Sequence, residues 1–131
     1  MEKEMPAVMA LSYLGDAVYS LYVRRRLVGM GVSHAGELNR LSLDYVTAPR
    51  QAELVKRLLP LLSEEETDVY RRAFNHKGLS RPAHASYGEY RAATGFEAVL
   101  GALYYMGDEG RLYTLLDTVH QNDFIAKETQ E

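Results

Sequence analysis

The sequence predicts an all-α domain, and three observations lead there. Apolar residues recur at helical spacing through long windows. No segment alternates with period two for long enough to argue a strand. Helix start and stop signals fall where one periodic stretch gives way to the next. At 131 residues the chain has the size of one domain able to bury its own core, so positions 1–131 are read as a single unit.

The elements follow in order. The first helix is expected from about Pro6 to Met30, with Val8, Leu11, Leu14, Val18, Leu21 and Tyr22 on one stripe and Gly29 and Gly31 as the stop. Its opposite face carries Met9, Tyr13, Val23 and Leu27, so the helix is apolar nearly all round and is expected to be buried at the centre. A second helix is expected over Ala35 to Asp44, with Ser33 near its cap. A third starts after Thr47, tolerates Pro49 in its first turn, and ends near Pro60. Ser63 with Glu66 makes a capping box for a fourth helix reaching Phe74. The Gly-, Pro-, Ser- and His-rich stretch from Asn75 to Ala85 reads as a loop. Ser86 and Glu89 form a second capping box, opening a fifth helix that reaches Met106, and Asp108 caps a sixth carrying Leu112, Leu115, Leu116 and Val119. The polar tail is expected to fray from about residue 122. The whole is a bundle of about six to seven helices.

Composition narrows the classes of function. With 47% hydrophobic and 25% charged residues the chain is an ordinary soluble protein. The absence of cysteine excludes disulfides and thiolate zinc sites and suits a reducing cytoplasm. No apolar run is long enough to span a membrane, and Met1 to Met5 lacks the apolar region of a signal peptide. The net charge of −3 argues against a generic nucleic-acid binder. Locally, however, Arg71, Arg72, Lys77, Arg81 and Arg91 face the single acid Glu89, with His76 and His84 among them. That strip is either a phosphate-contacting surface or a solvated loop with scattered arginines.

Two carboxylates stand out. Asp16 interrupts the apolar first helix beside Gly15, and both residues are poor helix formers. Glu97 flanks the apolar stripe Ala92, Phe96, Val99, Leu100 and Leu103 of the fifth helix, between Gly95 and Gly101. Glycines permit close helix approach, and two acids brought together repel unless a cation lies between them. Oxygen donors without Cys or paired His select Mg²⁺, with Mn²⁺ as a substitute. The alternative is structural: Asp16 pairs with an arginine or caps a neighbouring helix. The histidines His34, His76, His84 and His120 show no metal-ligand spacing and read as surface residues, with His76 and His84 as candidate phosphate neighbours. No phosphate-cradling glycine loop, serine elbow or zinc motif is present.

The stretch LSYLGDAVYSLYVRRRL resembles the signature helix of the ribonuclease III family, and GFEAVLGALYY resembles that family's second catalytic helix. The pieces VTAPRQAEL and RRAFNHKG, the short length and the lack of a following double-stranded-RNA-binding domain resemble the Mini-III subgroup. The resemblance runs from about Val8 to Val119. It implies a ribonuclease III-like helical fold and a homodimer that cleaves double-stranded RNA with Mg²⁺ in the cytoplasm. The implied task is maturation of the large-subunit (23S) ribosomal RNA precursor. It also implies that Asp16 and Glu97 are metal ligands and that Lys77 lies near the scissile phosphate. Asn75 matches an asparagine of the subgroup's loop. Arg71, Arg72, Asn75, His76, Lys77, Arg81 and His84 are the expected RNA contacts. Two further acids of longer family members are Ser12 and Thr94 here, which implies fewer protein ligands and more water around the metal. A subgroup arginine before the asparagine is Phe74 here. The alternatives are a structured-RNA-binding module of the same fold that does not cut, and a helical protein-interaction scaffold. Arg24, Arg25 and Arg26 suit the end of a helix by its dipole, or reach phosphate.

Overall fold

The computed structural model describes residues 4–79 and 85–125. Six α-helices follow one another: α1 (Val8–Gly29), α2 (Ala35–Val46), α3 (Ala48–Leu58), α4 (Glu64–Phe74), α5 (Tyr87–Tyr105) and α6 (Glu109–Val119), with a 3₁₀ turn at Leu59–Leu61. No strand occurs among the described residues, as the periodicity required. Both capping boxes form: Ser63 accepts from the Glu66 amide and Ser86 from the Glu89 amide, and each glutamate reaches back to its cap. Asp108 caps α6 through the Arg111 amide. At α2 the cap position is His34 rather than Ser33, with no side-chain bond.

The centre of the bundle is α5, not α1. Helices α1, α3 and α4 all pack on α5, whose residues from Ala92 to Leu103 are buried except Glu97. Helix α1 gives α5 one face, built from Leu11, Val18, Tyr19, Tyr22, Val23 and Leu27, with Tyr19 edge-on to Phe96 at 4.9 Å between ring centroids. Its other face is uncovered: Tyr13 is 83% exposed, Leu21 63% and Val28 60%. The all-round apolarity of α1 therefore reflects one stripe facing the core and a second facing outward. Helix α2 buries no residue fully, and its Leu43 is also exposed.

Two polar contacts fasten the outer elements. Arg111 of α6 donates through Nε and Nη2 to the buried Glu66 carboxylate at 3.0 and 2.8 Å, and to the Leu61 carbonyl at 2.7 Å. Burial alone would raise the Glu66 pKa, but the Arg111 and Ser63 hydrogen bonds outweigh it and hold the group below its usual value. Beyond α6 the chain turns back into the core. His120, expected at the surface, is 1% exposed, with Nδ1 3.0 Å from Asp123 and Nε2 3.1 Å from the Tyr19 hydroxyl. Burial holds its pKa below the usual histidine value despite Asp123. Phe124 is buried and stacks on Tyr45 at 4.2 Å, and most of the tail expected to fray from about residue 122 lies outside the described residues.

Candidate active site

Helices α1 and α5 touch backbone to backbone, and two glycines allow it. A Cβ on Gly15 would stand 2.5 Å from the Glu97 carbonyl carbon, nearer still to its oxygen, and 2.9 Å from the Gly101 nitrogen. A Cβ on Gly101 would stand 2.8 Å from the Leu11 carbonyl carbon and 3.0 Å from the Gly15 nitrogen. Only hydrogen fits at either place. Gly95 makes similar room for Tyr70 of α4, whose ring carbon a Cβ would meet at 2.7 Å.

This crossing brings Asp16 and Glu97 together. Asp16 follows the contact glycine of α1, and Glu97 itself supplies the backbone that Gly15 touches. The Asp16 carboxyl group lies close enough for its charge to act on Glu97. Their surroundings differ: Glu97 is half-buried, whereas Asp16, expected in a buried helix, is exposed at the rim of α1. Burial, reinforced by the negative charge of Asp16, pushes the Glu97 pKa up to about 8, while a hydrogen bond from Gln51 opposes the rise. Among the described residues no lysine, arginine or histidine forms an ion pair with either acid, and Asp16 stands at no helix N-cap, so neither form of the structural alternative is seen there.

The sequence reasoning passed over Gln51. It lies on the buried stripe of α3 with Leu54, Val55 and Leu58, and its Nε2 donates to Glu97 Oε2 at 3.2 Å and to the Val46 carbonyl at 2.9 Å. A signal was available: residues 51, 54, 55 and 58 follow helical core spacing, and the first of them is polar.

The positions of the two missing acids are buried. Ser12 sits one turn before Asp16, and Thr94 spends its hydroxyl on the Tyr90 carbonyl at 2.9 Å. Two carboxylates remain, and no cluster of three or more His, Cys, Asp or Glu residues suited to a metal forms among the described residues. A pair of oxygen donors, mutually repelling and without a basic partner, fits a hard divalent cation that keeps most of its water, as Mg²⁺ does.

The described members of the expected RNA contacts lie on α4 and in the turn after it. Arg71 and Arg72 are exposed near the end of α4, and both donate to the exposed Asp68 carboxylate, at 3.4 and 3.0 Å. Asn75 caps α4, and His76, Lys77 and Gly78 form the exposed turn after it, with the Gly78 amide donating to His76 Nδ1 at 3.2 Å. None of these is on the two carboxylate helices. Arg81 and His84 lie outside the described residues. Arg91 binds the Phe74 carbonyl and covers the Tyr87 ring at 4.2 Å, so it ties α4 to α5. Phe74, where the subgroup has an arginine, packs on the core against Tyr70 at 5.8 Å.

The family model described as "Ribonuclease III domain" matches residues 9–108, which contain both carboxylate helices. The chain belongs to the ribonuclease III family. Within it, this ribonuclease III-family chain is 44% identical over 119 residues to Mini-ribonuclease 3 of Symbiobacterium thermophilum, covering 91% of this chain and 90% of the relative. It is 45% identical over 109 residues to Mini-ribonuclease 3 of a Thermoanaerobacter species, covering 83% and 77%. A Fusobacterium nucleatum protein solved by X-ray crystallography superposes with a TM-score of 0.80 at 27% identity, over 90% of this chain and 95% of that one. The all-helical fold matches what the family requires, and the chain is of the short Mini-ribonuclease 3 kind.

Proposed function

We propose that this ribonuclease III-family chain is a Mg²⁺-dependent endoribonuclease that hydrolyses double-stranded RNA, with Asp16 and Glu97 as its metal-binding pair. The observation that carries the assignment is the meeting of these two acids at a glycine-only helix crossing, without a basic partner among the described residues. Evolving such a repulsive pair for the fold alone has no return, because a buried carboxylate without a cation costs stability. A cation held there supplies Lewis acidity toward a phosphodiester and its attacking water. Asp16, exposed at the rim, and the half-buried Glu97 would hold the cation. Lys77, in the exposed turn after α4, neutralises phosphate charge as it grows. Arg71, Arg72, Asn75 and His76 sit beside it as backbone contacts, with Arg81 and His84 from the adjoining segment. Recognition then rests on duplex shape and 2′-hydroxyls, because the narrow major groove of A-form RNA hides its base edges.

The working unit in this proposal is a homodimer, and the uncovered stripe of α1 supports it. Tyr13, Leu21 and Val28 are each more than half exposed on a single helix face, a concentration that a second copy would cover. The substrate is proposed to be the 23S ribosomal RNA precursor and the site of action the cytoplasm; no helix among the described residues is long and apolar enough to cross a membrane. The test is incubation with duplex RNA and Mg²⁺, beside an EDTA control and Asp16→Asn. Cleavage confined to wild type with metal is the expected result. Binding without cleavage would replace the nuclease with a structured-RNA-binding module.

A further inference from the structure

Most buried polar side chains of the bundle have structural partners. Glu66 has Arg111, His120 has Asp123 and Tyr19, and Thr94 has the carbonyl one turn back. Gln51 is different. It is 3% exposed, stands on the core stripe of α3, and its Oε1 is buried without any hydrogen-bond partner. Flipping the amide does not help. Nε2 faces two acceptors, the Val46 carbonyl and Glu97 Oε2, and the flip would set oxygen against oxygen while stranding the NH₂ group. A buried acceptor left without a donor destabilises the fold, whereas an apolar residue of similar volume carries no such cost. The bond to the Val46 carbonyl gives Gln51 a place at the α2–α3 junction, but the core gives no reason for its second bond, to Glu97. Among the described residues, its one hydrogen bond beyond the α2–α3 junction is to Glu97.

We propose that Gln51 is a positioning residue for the metal site, holding Glu97 Oε2 against α3 and so fixing the carboxylate that would hold the cation. This rests on the nuclease assignment above. The bond from Nε2, at 3.2 Å, fixes the Glu97 side chain against α3. The amide is itself placed by the α2–α3 junction through Val46, so the geometry is set before any metal arrives. Outer partners of this kind orient first ligands and raise metal affinity.

The experiment is Mn²⁺ binding to the intact protein, followed by electron paramagnetic resonance, alongside thermal melts in EDTA. Gln51→Leu is expected to weaken Mn²⁺ binding about 10- to 100-fold. It should keep a cooperative melt in EDTA and recover duplex cleavage at saturating Mn²⁺. Unchanged Mn²⁺ affinity, or loss of a cooperative melt in EDTA, would overturn the proposal by making Gln51 a scaffold residue. Gln51→Glu supplies an independent arm. A third carboxylate should lower the melting temperature in EDTA and enlarge the rise produced by Mn²⁺ beyond that of wild type, and a rise no larger than wild type would also overturn it. Absence of Mn²⁺ binding by the wild type itself would instead refute the metal-dependent nuclease assignment, so the two failures are distinguishable.

Discussion

Gly15→Ala adds one methyl group where α1 and α5 meet. The new carbon would stand 2.5 Å from the Glu97 carbonyl carbon, against an ordinary carbon–carbon contact of about 3.5–4.0 Å. The backbones must therefore separate by about 1 Å or more. Because the obstacle is main chain on a central helix, no rotamer change relieves it. Overpacking of this kind costs about 1–3 kcal/mol, here at the upper end. Alanine returns about 1 kcal/mol of helix propensity, leaving a net loss of about 2 kcal/mol. For a domain of this size that is a fall in melting temperature of about 8 °C. Gly29→Ala in the same helix has nothing within 4 Å of its new Cβ and should be neutral or slightly stabilising. Differential scanning calorimetry of the two variants in EDTA measures the contrast. If Gly15→Ala melts at or above wild type, the helices do not cross this closely, and the juxtaposition of Asp16 with Glu97 loses its basis.

Other expectations follow from the same structure. Glu97 has a folded pKa of about 8, above its unfolded value, so the folded state binds the extra proton between about pH 4.5 and 8. Metal-free stability should then fall as pH rises through that window, by up to about 1.4 kcal/mol per pH unit, and level off above it. Metal binding displaces the proton, so Mn²⁺ affinity should climb over the same range and plateau above about pH 8. A flat affinity profile across pH 6–8 would contradict the assigned coupling. Arg111→Met strands the buried Glu66 carboxylate and should cost about 3 kcal/mol in denaturant melts near neutral pH. The Glu66 contribution is present above its unfolded pKa and lost on acidification, so the cost should shrink below about pH 4. Leu21→Glu, on the uncovered face of α1, should convert a dimer into a folded monomer by analytical ultracentrifugation; an unchanged mass would remove that face from the interface.

The helices were legible because their ends carry local chemistry. Ser63 with Glu66, Ser86 with Glu89, and Asp108 each bind backbone amides within a turn, so sequence alone locates them. The carboxylate pair was legible for a related reason: acids and glycines inside apolar helices contradict local preference and so mark a site. Burial was harder to read. Apolarity on both faces of α1 does not say which face meets α5 and which is left for another molecule, and Asp16 lies on the boundary. His120 belongs to a short turn whose burial is decided by Tyr19, Tyr22, Tyr45 and Phe124, from three separate stretches of chain. Gln51 was hidden because its partner lies 46 positions away on another helix, although its place on a core stripe marked it.

A crystal of the protein soaked in Mn²⁺ and measured at the manganese absorption edge tests the account most directly. The predicted result is one or more anomalous peaks bridging the Asp16 and Glu97 carboxylates, with water completing the coordination. A peak elsewhere in a protein that still cleaves duplex RNA, or none at the α1–α5 crossing, would contradict it.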